Sequence, residues 1–264
     1  MGQRRERSRP GRHRAKQWRH PHMTYTYRWA GVTDAGKTRT ENQDSVYPEG
    51  LGEGSIGVVA VADGLGGHPG GDIASRCAVD AVAQAPEGCS GADLVGAAHD
   101  AIMARIGEAL GERPELIAMA TTLTLAVLSP TEPIEIAHVG DSRAYLANGT
   151  DIVQVTDDHT HGMDRVVAGE LSLEEAQQDP DWHVMSNWLG FESYRVATYR
   201  VPVEPGDRLL LCSDGLSNML TDDQIADILN TGTVERSAAA LIDAANAAGG
   251  LDNITVVVVE IVKG

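Results

Sequence analysis

The sequence predicts an α+β fold in which two packed, mostly antiparallel β-sheets are flanked by helices. Strand-like segments outnumber helical ones, and the helices come in consecutive pairs rather than one after each strand. A doubly wound parallel sheet would require the opposite arrangement. Asn148-Gly149 between two apolar alternating segments adds a hairpin signal typical of antiparallel pairing. With 264 residues, 42% of them hydrophobic, the chain can bury one substantial core. It has a single Phe, so that core must be built from Val, Ile, Leu and Ala.

The elements follow in order. Tyr25, Tyr27 and Trp29 alternate with Thr26, Arg28 and Ala30, the period of two of a half-buried strand. A polar loop, 38–44, follows, closed by Asp44. The apolar run 56–62 reads as a buried strand that stops at Asp63, and 64–71 as a Gly-rich turn. Helices are predicted over 72–85 and 92–110, the second ending before Gly111, with Pro114 in a loop. Strands are predicted over 121–128, 134–139 and 144–147. Residues 157–190 break the β rhythm with acids, histidines and short helical pieces, and read as an inserted surface subdomain. Residues 207–213 form another buried strand ending at an Asp. Helices over 221–229, with Thr221 as N-cap, and 234–247 precede a last strand over 254–261.

Charge is divided unevenly. The chain carries −17, yet residues 1–22 hold eight Lys or Arg against one Glu, which leaves −24 on residues 23–264. An acidic body disfavours nucleic acid as a partner and concentrates cations. The basic segment 1–22 is expected to be a disordered extension, with the folded domain over 23–264. Cys77, Cys89 and Cys212 are odd in number and lack metal-ligand spacing, which argues for a reducing compartment. The apolar runs are too short to cross a bilayer, and a cytoplasmic protein is expected.

The most informative feature is repetition. Apolar strands end in an Asp followed by a small residue at Asp63-Gly64, Asp141-Ser142 and Asp214-Gly215; Asp252 opens the last strand and Asp44 closes the loop after the first. One Asp-Gly pair is an ordinary turn. Several rigid strands delivering carboxylates to converging ends would repel one another unless a cation were bound among them. Oxygen-only ligands without a His or Cys pattern suit Mg²⁺ or Mn²⁺ rather than Zn²⁺.

Six segments carry a resemblance in order: Arg39-Thr-Glu-Asn-Gln-Asp44, Val61-Ala-Asp63-Gly64-Leu-Gly-Gly-His68, Thr121-Thr122, Gly140-Asp141-Ser142-Arg143, Ser213-Asp214-Gly215 and Asp252-Asn253-Ile254-Thr255. Together they resemble the metal-dependent Ser/Thr protein phosphatases of type 2C (the PPM family), in particular the bacterial branch. The resemblance, over about 25–262, implies a four-layer αββα sandwich. It also implies hydrolysis of phosphoserine and phosphothreonine on proteins by water activated at two divalent cations, Mn²⁺ or Mg²⁺. Asp63 would bridge the two metals and the Gly64 carbonyl would bind the second; Asp214 and Asp252 would hold the first, and Asp44 would order metal-bound water. Bacterial members often hold a third metal, for which Asp141 and Asp214 would be the ligands, and Arg39 would grip the phosphate. Expected partners are phosphoproteins opposed by a cytosolic Ser/Thr kinase, and a monomer is expected.

The chain departs from the family in places. Leu65 stands where some members have His, and His68 lies further along, so no general acid is assigned. Ala120 replaces a usual Gly. Segment 157–190 resembles the family's flap, but Asn187 stands where an Arg is usual, beside Trp188; this bears on substrate preference. Three other readings stay open at this point: a phosphatase dedicated to one regulatory partner, a non-catalytic phosphoprotein-binding relative, and an acidic scaffold that binds cations structurally.

Overall fold

A computed structural model describes residues 24–66, 69–149 and 151–264. The expectations for residues 1–22 and for His68 fall outside the described residues. Two sheets stack face to face. One runs in the order β3-β1-β11-β10-β7-β8, from Gly50–Gly54, Tyr25–Asp34, Ile254–Lys263, Arg208–Cys212, Arg143–Asn148 and Asp151–Gln154. The other runs β2-β4-β5-β6-β9, from Asp44–Tyr47, Val58–Asp63, Leu123–Val127, Ile134–Val139 and Ala197–Val201. Every strand pair is antiparallel.

Three apolar layers separate four structural ones. Between the sheets lie Val59, Val61, Ile134, Ile136, Leu209, Leu211, Val257 and Val259. Alternate residues of the same strands face outward. Ala60, Ala62, Leu123 and Leu125 meet α1 (Gly71–Gln84) and α2 (Gly91–Ala109). Leu210, Cys212, Val256 and Val258 meet α6 (Asp222–Leu229) and α7 (Val234–Ala247). Both faces of the central strands are therefore dry, which is why they read as continuous apolar runs although they pair antiparallel. Each fully buried Val or Leu contributes about 1.5–3 kcal/mol, so short strands suffice. The core is aliphatic as expected, and the only Phe, Phe191, is 58% exposed. Thr221 caps α6 through a reciprocal pair with Gln224.

The structure corrects several boundaries. Asp44 does not close a loop; it is the first residue of β2, a strand not predicted because its four residues, Asp-Ser-Val-Tyr, are too few to show a period. Edge strands β3 and β9 carry weak signals too: Gly-Leu-Gly-Glu-Gly has poor strand propensity, and Ala197–Val201 buries only its last residue. Pro114 opens a 3₁₀ turn over Pro114–Ala118 instead of lying in a loop. Asp214 starts a short helix, α5 (Asp214–Ser217). The inserted region does contain short helices, α3 (His161–Val167) and α4 (Leu173–Ala176).

Candidate metal centre

The centre lies at one pole of the sandwich, where strands of both sheets end. In the five-stranded sheet, β2 and β4 place Asp44 directly opposite Asp63, a register that puts Cα atoms about 4.5–5.5 Å apart. The Asp63 backbone is held on both sides. Its N–H donates to Thr122 Oγ1 at 3.0 Å, and its carbonyl accepts from Thr122 N at 2.8 Å and from Thr121 Oγ1 at 2.8 Å. Gly64 must be Gly, since a Cβ there would lie 2.3 Å from Gly71 O and 2.6 Å from Gln43 O.

The six-stranded sheet delivers Asp214, after β10, and Asp252, before β11. The chain turns after β10 at Gly215, where a Cβ would sit 1.9 Å from Asn253 O and 3.5 Å from Asp252 Cβ. This close crossing is what brings Asp214 beside Asp252. Asn253 then ties the crossing to the loop before β2. Its Oδ1 accepts from Gln43 N at 2.8 Å, and its Nδ2 donates to Ala35 O and Glu41 O at 3.0 and 2.9 Å. Arg39, on that loop, donates from Nη2 to Asp252 Oδ2 at 2.7 Å and lies over Gly66, where an added Cβ would meet its Nη1 at 3.0 Å.

Electrostatics tests whether the acids meet. Burial, then Asp44, Asp214, Asp141 and Asp252, push the Asp63 carboxyl well above the usual carboxylate range. Asp44 is pushed up to about 7, mainly by burial, with Asp214 adding to the rise. Burial, then Asp252, raises Asp214. Five acids thus share one field. The hydroxyls of Ser213 and Thr255 temper Asp44, but they fall short of proper hydrogen bonds, because both Asp44 oxygens are buried without a partner. Ser213 Oγ instead accepts from Thr255 N, and Thr255 Oγ1 meets Thr33 Oγ1.

A buried carboxylate with neither oxygen satisfied, among other acids, is unstable unless it meets a proton or a cation. Among the described residues, no three His, Cys, Asp or Glu side chains are close enough to hold one ion unaided. Carboxylate oxygens without His or Cys beside them suit hard cations that keep several waters, such as Mg²⁺.

Asp141 lies after β6 and lines a small cleft with Asp214, Ser217, Asn218, Trp182 and His183. Burial, then Asp214 and Asp158, push its carboxyl up to about 8, and its Oδ1 is buried without a partner. Arg143, which lines the same cleft, is engaged by a bidentate pair with Asp158, Nε–Oδ1 at 2.8 Å and Nη2–Oδ2 at 2.7 Å. Cys212 is buried and its thiol is pushed up to about 12, which suits packing and not nucleophilic attack.

All seven residues singled out from the sequence, Arg39, Asp44, Asp63, Gly64, Asp141, Asp214 and Asp252, gather at this pole. The supporting residues Thr122, Gly215 and Asn253 had no assigned role. Their signal was present, since each adjoins a motif Asp or its strand partner, but only the crossing of the chains shows what they do.

Residues 34–249 match the family model described as protein phosphatase 2C. The chain is 36% identical over 244 residues to the serine/threonine protein phosphatase PstP of Mycobacterium tuberculosis, covering 91% of this chain. It spans about half, 46%, of that relative's length. It is 36% identical over 239 residues to the serine/threonine phosphatase stp of Listeria monocytogenes, covering 86% of this chain and 93% of the relative. Among solved structures, that of the Mycobacterium tuberculosis phosphatase PstP/Ppp superposes with a TM-score of 0.77 at 34% identity, covering 90% of this chain and all of the other. The PstP catalytic domain in complex with two manganese ions superposes with a TM-score of 0.76 at 35% identity, covering 91% of this chain and all of the other.

Proposed function

The chain belongs to the protein phosphatase 2C family, and on that premise we propose that it hydrolyses phosphoserine and phosphothreonine on proteins, using water activated at a binuclear Mn²⁺ or Mg²⁺ site. The observation that carries this reading is the Asp44–Asp63 pairing, with both Asp44 oxygens buried and unpartnered in the field of Asp214 and Asp252. When bound, the two cations would lower the pKa of water between them and neutralise charge on the phosphoryl group.

Within this reading Asp63, the Gly64 carbonyl, Asp214 and Asp252 would hold the two cations, and Asp44 would orient water; Asp141 and Asp214 would hold a third cation at the cleft that both line. Arg39 supplies planar donors for two phosphate oxygens. Its bond to Asp252 keeps that fork at the rim of the centre. Thr121 and Thr122 hold the Asp63 backbone, so its side chain would meet a cation from a fixed peptide.

A narrower substrate range is the second reading, favoured by the flap. Asn187 supplies no charge, and Trp188 stands 6.2 Å from the exposed Phe191, an apolar pair that a phosphoprotein could cover. Among the described residues no helix is long and apolar enough to cross a membrane. We place this enzyme in the cytoplasm, as a monomer opposing a Ser/Thr kinase; the free thiols of Cys77, Cys89 and Cys212 fit the reducing compartment in that reading.

The test is hydrolysis of p-nitrophenyl phosphate and of phosphopeptides with Mn²⁺, which chelation should abolish. Asp214→Asn should abolish turnover while the fold persists. Near-normal activity of that variant at saturating Mn²⁺ would sink the assignment.

A further inference from the structure

We propose that His159 and Asn187 form a positioning pair that ties the flap to the Gly140–Asp141 turn and so sets where Asp141 points. The proposal rests on the reading above only in treating Asp141 as a cation-facing carboxylate. The tie itself stands on hydrogen-bond geometry.

Asn187 is buried, 5% exposed, at the point where the flap chain returns to the body. Its amide orientation is fixed by a neighbour. Arg195 N–H donates to Asn187 Oδ1 at 3.0 Å, and Asn187 Nδ2 donates to Arg195 O at 2.8 Å. The same Nδ2 lies 2.7 Å from His159 Nδ1, so it can only donate there. Gly140 N–H also donates to His159 Nδ1, at 3.0 Å. With two donors aimed at it, Nδ1 must carry the lone pair, and the ring proton sits on Nε2.

The backbone repeats the connection. His159 N–H donates to Gly140 O at 2.7 Å, and His159 O accepts from Ser186 N at 2.8 Å. One histidine therefore clamps both sides of the Gly140 residue on the body and receives two groups of the flap. Gly140 has φ +112, and a Cβ there would lie 2.5 Å from Thr122 Cγ2. The turn is thus wedged between Thr122, which holds Asp63, and His159, which holds the flap. Asp141 is the next residue along the chain, so loosening either side changes its direction.

Position 187 is where this chain departs from the segment it resembles, and the departure is chemically specific. Asn can accept from Arg195 N–H and donate to His159 at once. An arginine has no acceptor and could not make the first of these bonds.

The experiment compares full-length H159N, H159L and N187D with the parent. Asn at 159 can place an amide oxygen where Nδ1 stands and keep the acceptor. Leu removes it. N187D turns a donor into an acceptor facing the Nδ1 lone pair. H159L and N187D should need roughly tenfold more Mn²⁺ for half-maximal p-nitrophenyl phosphate hydrolysis, or lose as much kcat, with KM for the substrate little changed; H159N should stay near the parent. Nitrogen NMR of the metal-free parent should show His159 Nδ1 unprotonated and Nε2 protonated. Parent-like Mn²⁺ dependence and kcat in both H159L and N187D, or a proton on Nδ1, would overturn the proposal. Should H159L fail to fold, N187D and the nitrogen spectrum still decide. An active Asp214→Asn variant would instead remove the cation reading and leave the tautomer result intact.

Discussion

Replacing Gly215 by Ala puts the convergence of the acids to its sharpest test. The new Cβ would lie 1.9 Å from Asn253 O and 2.9 Å from its carbonyl carbon, both backbone atoms. Ordinary contact begins near 3.4 Å, so the two segments must part by about 1.5 Å, an overpacking strain of ~1–3 kcal/mol. Asp214 precedes Gly215 and Asp252 precedes Asn253, so the same movement separates the two carboxylates assigned to one cation. A misplacement of about 1 Å can cost roughly 100-fold in rate. G215A should therefore lose about two orders of magnitude in kcat on p-nitrophenyl phosphate and need more Mn²⁺, while its Tm falls by only ~2–12 °C. Gly107, an exposed position in α2 with nothing within 4 Å of an added Cβ, provides the control. G107A should gain ~0.5–1 kcal/mol and keep full activity. A folded G215A with parental kcat and Mn²⁺ requirement would refute the claim that this crossing builds the site.

Three further outcomes follow from the same electrostatics and packing. Asp44→Asn removes a buried, unsatisfied charge, so it should abolish or severely reduce turnover yet raise Tm in chelator; a lowered Tm there would count against the repulsion argument. Asp158→Ala strands the half-buried Arg143 guanidinium and should cost ~3–5 kcal/mol in denaturant unfolding; a loss below about 1 kcal/mol would show that the pair is dispensable. In chelator, stability should fall as pH rises from 6.5 to 8. Asp44 and Asp141 are raised to about 7 and about 8, so in this window the folded state holds protons that the unfolded carboxyls have already lost. Each such carboxyl contributes a slope of up to about 1.4 kcal/mol per pH unit. His138 and His159 act in the opposite direction and below this window. Their folded values, about 3 and about 4, are depressed chiefly by burial, so they remove stability as pH falls below 6.5. Saturating Mn²⁺ should flatten the alkaline slope, and a chelated profile already flat from pH 6.5 to 8 would contradict the carboxyl cluster.

Much of this molecule was legible before folding. The alternating Tyr25–Ala30 segment, the apolar runs ending at Asp63 and Asp214, the Asn148-Gly149 hairpin and the Thr221 cap all became the elements they suggested. What they share is locality: period, turn chemistry and capping act within a few residues. Strand β2 is too short to show a period, and β3 and β9 lie at sheet edges that need no full apolar face to announce them.

The sequence by itself marked the acids that come to share one pole of the fold, because a carboxylate after an apolar strand is a local event repeated along the chain. Tertiary structure alone decided that Asp44 faces Asp63, that Gly215 lets Asp214 approach Asp252, and that Arg39 pairs with Asp252 across more than two hundred residues. It also decided that Asn187 reaches His159. The physical reason is range. Propensity and pattern act along the chain, whereas repulsion between buried charges depends on distances that exist only once both sheets have packed.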